Sequence, residues 1–256
     1  SSSDTMDTGG TEAPSPLGAV ARRFGFHRSI DLIPSTLRGV LEAYPLRRKA
    51  APPPSALEGA GQDVLVAIAS SLSDVPRPDR EATVMGAGQE ASTVTPLELA
   101  LVAAVYATGG VQFAPHVIEG LGGQPRGSPA RVPWARVTSN AEAIERVREG
   151  MKAAVSSGVA SEAFRDSPLQ PYVYGVIGSA ARRGTGSGEP YDRWFFGYVV
   201  PPRPEASSDD PANHELAFAC WMPGDRSDAI DVALVMERLL RDVARHYGWR
   251  HWSPTP

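Results

Sequence analysis

Two apolar runs near the C-terminus limit what this chain can fold into. They are Trp194-Phe195-Phe196-Gly197-Tyr198-Val199-Val200 and Glu215-Leu216-Ala217-Phe218-Ala219-Cys220-Trp221-Met222. Both are rich in aromatic or β-branched residues and carry no charge in their interiors, so they predict buried strands. A proline-rich, acidic loop separates them. Before them comes Ala180-Ala181-Arg182-Arg183-Gly184-Thr185-Gly186, whose glycines let a backbone run close to a neighbour. Tyr172 to Ile177 predicts an extended approach to that segment. The Arg182, Trp194 and Glu215 runs are expected to be adjacent strands forming one wall of a cleft, around which the rest of the chain packs.

The helices are marked by their ends. Thr95, Pro96 and Glu98 supply an N-cap, a proline at the first helical position and the third-position acid of a capping box. The helix they start is expected to bury Leu97, Leu101, Ala104 and Val105 and to stop at Gly109-Gly110. Ser139 and Glu142 suggest a second capping box, with Ile144, Val147, Met151, Ala154 and Val155 on the buried face and an end at Gly158. Asp228 to Tyr247 is the strongest amphipathic segment. Val232, Val235, Met236, Leu239, Leu240, Val243 and Tyr247 form its apolar face, which should lie flat on the sheet. Leu17 to Phe26 reads as a short helix and Val64 to Leu72 as an apolar segment of either type. Residues 120 to 133 read as a Gly/Pro-rich linker. The expected fold is α/β of the α+β type, a mainly antiparallel sheet flanked by helices.

Composition excludes several function classes. The formal charge is −4, which gives no electrostatic support to non-specific nucleic-acid binding. No apolar run approaches the roughly 20 residues of a membrane span. Cys220 is the single cysteine, so no internal disulfide forms, and a packed thiol is expected. His27, His116, His214, His246 and His251 have no metal-ligand spacing, so neither a metal nor a cofactor is expected. His246 is placed to cap the last helix, where a cation is favoured. Residues 1–16 read as a disordered or linker start and residues 17–256 as one partial domain. The chain begins Ser-Ser-Ser without methionine, as a fragment or a trimmed chain would.

Four segments in order resemble the C-terminal part of a penicillin-binding protein transpeptidase domain. Arg23-Phe24-Gly25-Phe26 with Ile30-Asp31-Leu32 is similar to that family's Phe-Gly-Phe segment and the Asp-Leu-Pro after it. Gly88-Gln89-Glu90, Val94-Thr95-Pro96-Leu97-Glu98-Leu99-Ala100 and Gly109-Gly110 resemble its Gly-Gln-Gly, Val-Thr-Pro-Leu-Gln-Leu-Ala and Asn-Gly-Gly pattern. Val147 to Val155 looks like the helix before the active-site strand. Ala180 to Thr185 falls where Ala-Gly-Lys-Thr-Gly-Thr is expected, with Trp194 to Tyr198 as the next strand. The resemblance covers roughly residues 17 to 247. It implies acyl transfer through a serine ester, which requires Ser-x-x-Lys, Ser-x-Asn and Lys-Thr-Gly elements. It also implies an extracytoplasmic place in the cell envelope, with a peptidoglycan stem peptide or a β-lactam as ligand and a cell-wall protein as a possible partner.

The chain departs from that pattern at the chemistry. It has only two lysines, Lys49 and Lys152, preceded three positions earlier by Leu46 and Glu149, so there is no Ser-x-x-Lys. Asn140 and Asn213 follow Thr138 and Pro211 at two positions, so there is no Ser-x-Asn. No catalytic residue is therefore assigned. By resemblance, Arg182, Arg183, Gly184 and Thr185 are the remnant substrate-binding motif. Arg182 could clamp a carboxylate bidentately but cannot take part in proton transfer. Strand alternation gives the pocket to Arg182 and turns Arg183 to the other side, where Asp231 or Asp242 would be its partner. Against this stand the plainer readings: the arginines as a solvated strand edge, Thr185 as an ordinary strand threonine, and Trp194, Trp221, Tyr198 and Phe218 as sheet or core residues. Two functions follow, an enzyme piece lacking its nucleophile or a degenerate binding domain.

Overall fold

The structure is a computed structural model that describes residues 16–26, 94–115, 120–121, 124–125, 133–181, 191–201, 215–224, 229–247 and 249. The expected segments at residues 1–15, Ile30–Leu32, Val64–Leu72 and Gly88–Glu90 lie outside them. The frame is an antiparallel sheet of three nine-residue strands: β5 (Val173–Ala181), β6 (Tyr191–Val199) and β7 (Leu216–Gly224), in the order β5-β6-β7. Pairing is unbroken, from Val173 opposite Val199 to Ala181 opposite Tyr191, and from Tyr191 opposite Gly224 to Val199 opposite Leu216. The two apolar runs thus pair as expected. The first strand, however, begins earlier, at Val173, and absorbs the extended approach except for Tyr172, which closes a 3-10 turn; Arg182 to Thr185 follow it directly and lie outside the described residues.

Pleating divides the side chains between two faces. Val173, Ile177, Phe195, Val199, Phe218 and Cys220 point to the core, where burial raises the Cys220 thiol pKa. Helix α5 (Ile230–His246) covers this face with Val232, Ala233, Met236, Leu240 and Ala244, and helix α4 (Ser161–Phe164) adds Phe164. His246 is the last residue of α5, and the cap position expected of it is taken by Tyr247. Phe195 is fully buried between the Phe164 and Phe218 rings, at centroid distances of 5.8 and 5.3 Å. The expected face of α5 is corrected: Val235, Leu239 and Tyr247 are exposed, and the buried stripe runs through the small residues Ala233 and Ala244 and through Glu237. Glu237 can be buried because its carboxylate accepts from Ser167 Oγ at 2.5 Å and from Arg241.

Helix α2 (Pro96–Ala107) packs against β6 and β7. Its capping box forms as predicted: Glu98 N donates to Thr95 Oγ1 at 3.2 Å and Thr95 N to Glu98 Oε2 at 2.9 Å. Leu97, Leu101 and Ala104 are only partly buried; Glu98, Ala103 and Val105 are the residues fully covered. The helix ends at Gly109 and Gly110, both at positive φ, and a Cβ on Gly110 would lie 2.2 Å from the Thr138 carbonyl oxygen. Segment 120–133 is not simply a linker. Strands β2 (Gly120–Leu121) and β3 (Gln124–Pro125) pair within it, and β4 (Pro133–Arg136) pairs with β1 (Val111–Phe113).

Helix α3 (Ala141–Ser156) is capped by Asn140, whose Oδ1 accepts from Ala143 N at 3.0 Å, and not by the expected Ser139. Glu142 instead pairs with Arg146 on the surface. Of the predicted face, Ile144, Met151 and Val155 are buried, Ala154 is partly buried and Val147 is exposed. Helix α1 (Pro16–Arg23) ends in the turn at Phe24 to Phe26, where Phe24 O accepts from Gln112 Nε2 at 2.9 Å.

Candidate functional site

β5 has two unlike halves. At its start, Gly175 stands opposite Gly197, and the space left by the missing Gly175 side chain is filled by the Phe195 ring, 2.6 Å from where a Cβ on Gly175 would sit. Here α3 packs against the strand. Beyond it Val176, Gly178 and Ser179 are exposed, and a Cβ on Gly178 would meet nothing within 4 Å. Among the described residues β5 pairs only with β6. Ile177 points back to the core, as alternation requires.

The sheet face on the Val176 side is aromatic. Val176 stands opposite Phe196, Gly178 opposite Trp194, and Trp194 opposite Trp221, with the two indoles 6.2 Å apart. Trp221 is 41% exposed, on the sheet face as expected but open to solvent, whereas Tyr198 and Phe218 are core. Trp221 Nε1 donates to Asp192 Oδ1 at 2.9 Å. Asp192 is the one charged side chain that the three strands put on this face, among the described residues.

At the other end of the same face, a groove of about 610 Å³ lies between α3, the start of β5 and the end of β6. Lys152 Nζ donates to Gln170 O at 2.8 Å and sits 5.0 Å above the Tyr174 ring, which stacks on Tyr198 at 4.8 Å. Burial lowers the Lys152 pKa. Arg148 donates from Nε to Tyr106 O at 2.9 Å and from Nη2 to Ala107 O at 3.0 Å, satisfying the last carbonyls of α2, and pairs with Glu145. Burial pushes the Tyr198 hydroxyl far above its usual pKa, against the opposing pull of Arg148. Both cations are thus engaged in joining α3 to its neighbours. Among the described residues no group of three His, Cys, Asp or Glu could hold a metal, and no helix is long and apolar enough to cross a membrane.

The predicted motif residues Arg182, Arg183, Gly184 and Thr185 all lie outside the described residues. The partners suggested for Arg183 are engaged elsewhere: Asp231 pairs with Arg193 at 3.0 Å and Asp242 with Arg245 at 2.5 Å. Arg193 was not singled out from the sequence. It is nearly buried on the core face, beside Gly224, and only its place in the strand register reveals that.

A family model described as the penicillin binding protein transpeptidase domain matches residues 59–206, more than half of the chain. The chain belongs to that family. Among solved structures, it is similar to a peptidoglycan glycosyltransferase from Burkholderia ambifaria, at 15% identity and a TM-score of 0.54, over 91% of this chain and 56% of that one. It is also similar to penicillin-binding protein A from M. tuberculosis, solved as an imipenem acyl-enzyme complex. There the identity is 16% and the TM-score 0.52, over 86% of this chain and 41% of that one. At these identities the likeness is one of fold, and this penicillin-binding domain spans only 41% and 56% of the two chains. No curated protein matches it. Against the family's Ala-Gly-Lys-Thr-Gly-Thr pattern, β5 offers a second placement beside Ala180–Thr185. Gly175-Val176-Ile177-Gly178-Ser179 has both glycines and the final hydroxyl in step, with valine and isoleucine in place of lysine and threonine. Glycine spacing was the signal for it; charge drew the sequence reading to the arginines.

Proposed function

We propose that this chain, over residues 17–256, is the C-terminal part of a transpeptidase-type domain of cell-wall synthesis that binds a peptidoglycan peptide or a cell-wall partner outside the cytoplasm and does not itself carry out acyl transfer. The observation that carries this reading is the fate of lysine. A serine nucleophile needs a neighbouring base, and neither Lys49 nor Lys152 follows a serine at three positions. Lys152 is moreover held by the Gln170 carbonyl and the Tyr174 ring. In this reading Arg182 reads a ligand carboxylate, with Arg183, Gly184 and Thr185 around it as the remnant motif. The chain is expected to give no covalent adduct with a fluorescent penicillin. A labelled band that survives boiling and disappears when one serine is mutated would refute the non-catalytic reading.

A second reading, favoured by the 41% span of penicillin-binding protein A, is that the whole protein is a serine D,D-transpeptidase whose nucleophile precedes Ser1. The gene sequence upstream of Ser1 decides it: Ser-x-x-Lys and Ser-x-Asn there would favour an enzyme with an unusual third motif.

A further inference from the structure

We infer that Lys152 is a covalent modification site, an amine held in the groove between α3 and the sheet that condenses with small uncharged aldehydes to an imine. The inference is independent of the peptide-binding reading, whose Arg182 follows the other end of β5.

Geometry carries it. A lysine ammonium has three N–H donors. Lys152 Nζ gives one to Gln170 O at 2.8 Å and presents another to the Tyr174 ring, whose centroid lies 5.0 Å away. Among the described residues nothing accepts the third, and no carboxylate stands within ion-pair range of Nζ. When that third proton is lost, the two held N–H groups stay in place and the lone pair takes the position left to the groove of about 610 Å³ that Lys152 lines. A nucleophilic amine needs its lone pair free and aimed, and here two neighbours aim it. Burial acts in the same direction, because it lowers the Lys152 pKa and enlarges the neutral fraction near neutral pH.

The lining selects the reactant. Glu145, Glu149 and Glu215 share the groove with Arg148 and Lys152, and Tyr174 and Tyr198 add an aromatic surface. Arg148 is committed to Glu145 and to the Tyr106 and Ala107 carbonyls. Three carboxylates against one committed guanidinium disfavour an anionic reactant. In the reaction the Nζ lone pair bonds to the aldehyde carbon and one N–H proton passes to the carbonyl oxygen. That oxygen then leaves as water with the second N–H proton, and nothing is oxidised or reduced. The neutral imine has no N–H, so modification also undoes the tie between α3 and the 3-10 turn at Gln170.

The test is labelling of the folded chain with benzaldehyde, the imine being trapped by cyanoborohydride and located by peptide mass mapping. The chain has only two lysines, so Lys49 is an internal reference. Lys152 should take most of the label near neutral pH, and in concentrated urea, which unfolds the groove, the two lysines should label alike. With N-acetyl-lysine amide in the same solution, the ratio of Lys152 labelling to that of the free amine should rise as pH falls from about 10.4, the ordinary lysine pKa, to neutrality. The anionic 4-carboxybenzaldehyde should label Lys152 more slowly than benzaldehyde does, relative to Lys49. Lys49 labelled as fast as Lys152 in the folded chain would overturn the inference. So would a preference for Lys152 that survives urea, a ratio that does not change with pH, or faster labelling of Lys152 by the anionic aldehyde.

Discussion

A methyl group on Gly197 would lie 1.9 Å from the carbonyl oxygen of Tyr174, a backbone atom that cannot swing aside. Gly197→Ala should therefore cost at least about 2 kcal/mol, near the upper range for overpacking a core, read from denaturant midpoints. Tyr198 makes a second prediction at this scale. Burial raises its pKa, so the folded state keeps the hydroxyl proton that the unfolded state loses near pH 10. Its contribution is fully present below that pH and is lost as pH rises above it. Denaturation series from pH 9 to 11 should show a falling stability, with a shallower fall in Tyr198→Phe; identical slopes would contradict this. Neither glycine nor tyrosine could be weighted this way from sequence. The consequence of Gly197 depends on Tyr174, more than twenty residues away and brought opposite Tyr198 only by register.

Helix α2 was legible and the face of α5 was not, and the difference is physical. The Thr95–Glu98 box is local chemistry, complete within four residues, so the start of α2 could be read directly. α5 carries apolar residues around more than one face, and what selects the buried stripe is the sheet beneath it and the Ser167 hydroxyl that receives Glu237. Adjacent leucines separate the two readings. Leu240 is 2% exposed and Leu239 is 50% exposed. Leu240→Ala should cost about 2–5 kcal/mol and Leu239→Ala less than about 1 kcal/mol, by thermal or chemical unfolding. Equal costs would mean that the helix is rotated from the orientation described. The cap of α3 shows the same limit on a small scale: Ser139 and Asn140 are both good caps, and tertiary placement chose the second.

Across the molecule, the sheet order and both pairings follow from the apolar runs, whereas the site was legible only in outline. The three-stranded sheet was found. The second placement of the family's glycine pattern, on β5, was not, because arginines stand out in sequence and a Gly-Val-Ile-Gly-Ser run does not. Native-state hydrogen exchange should be slowest in β6, which is paired on both sides, and faster from Val176 to Ala181 on β5 than in Trp194 to Val199. Uniform protection across β5 would mean that the edge without a partner among the described residues is covered in solution. The pleat has one more consequence. The side chains that hold the fold and those that face outward near Val176 sit on opposite sides of the same strands, separated by a single layer of backbone. Selection can rewrite the outward set residue by residue while the inward set stays fixed, so a lineage can exchange one ligand for another without passing through an unfolded ancestor.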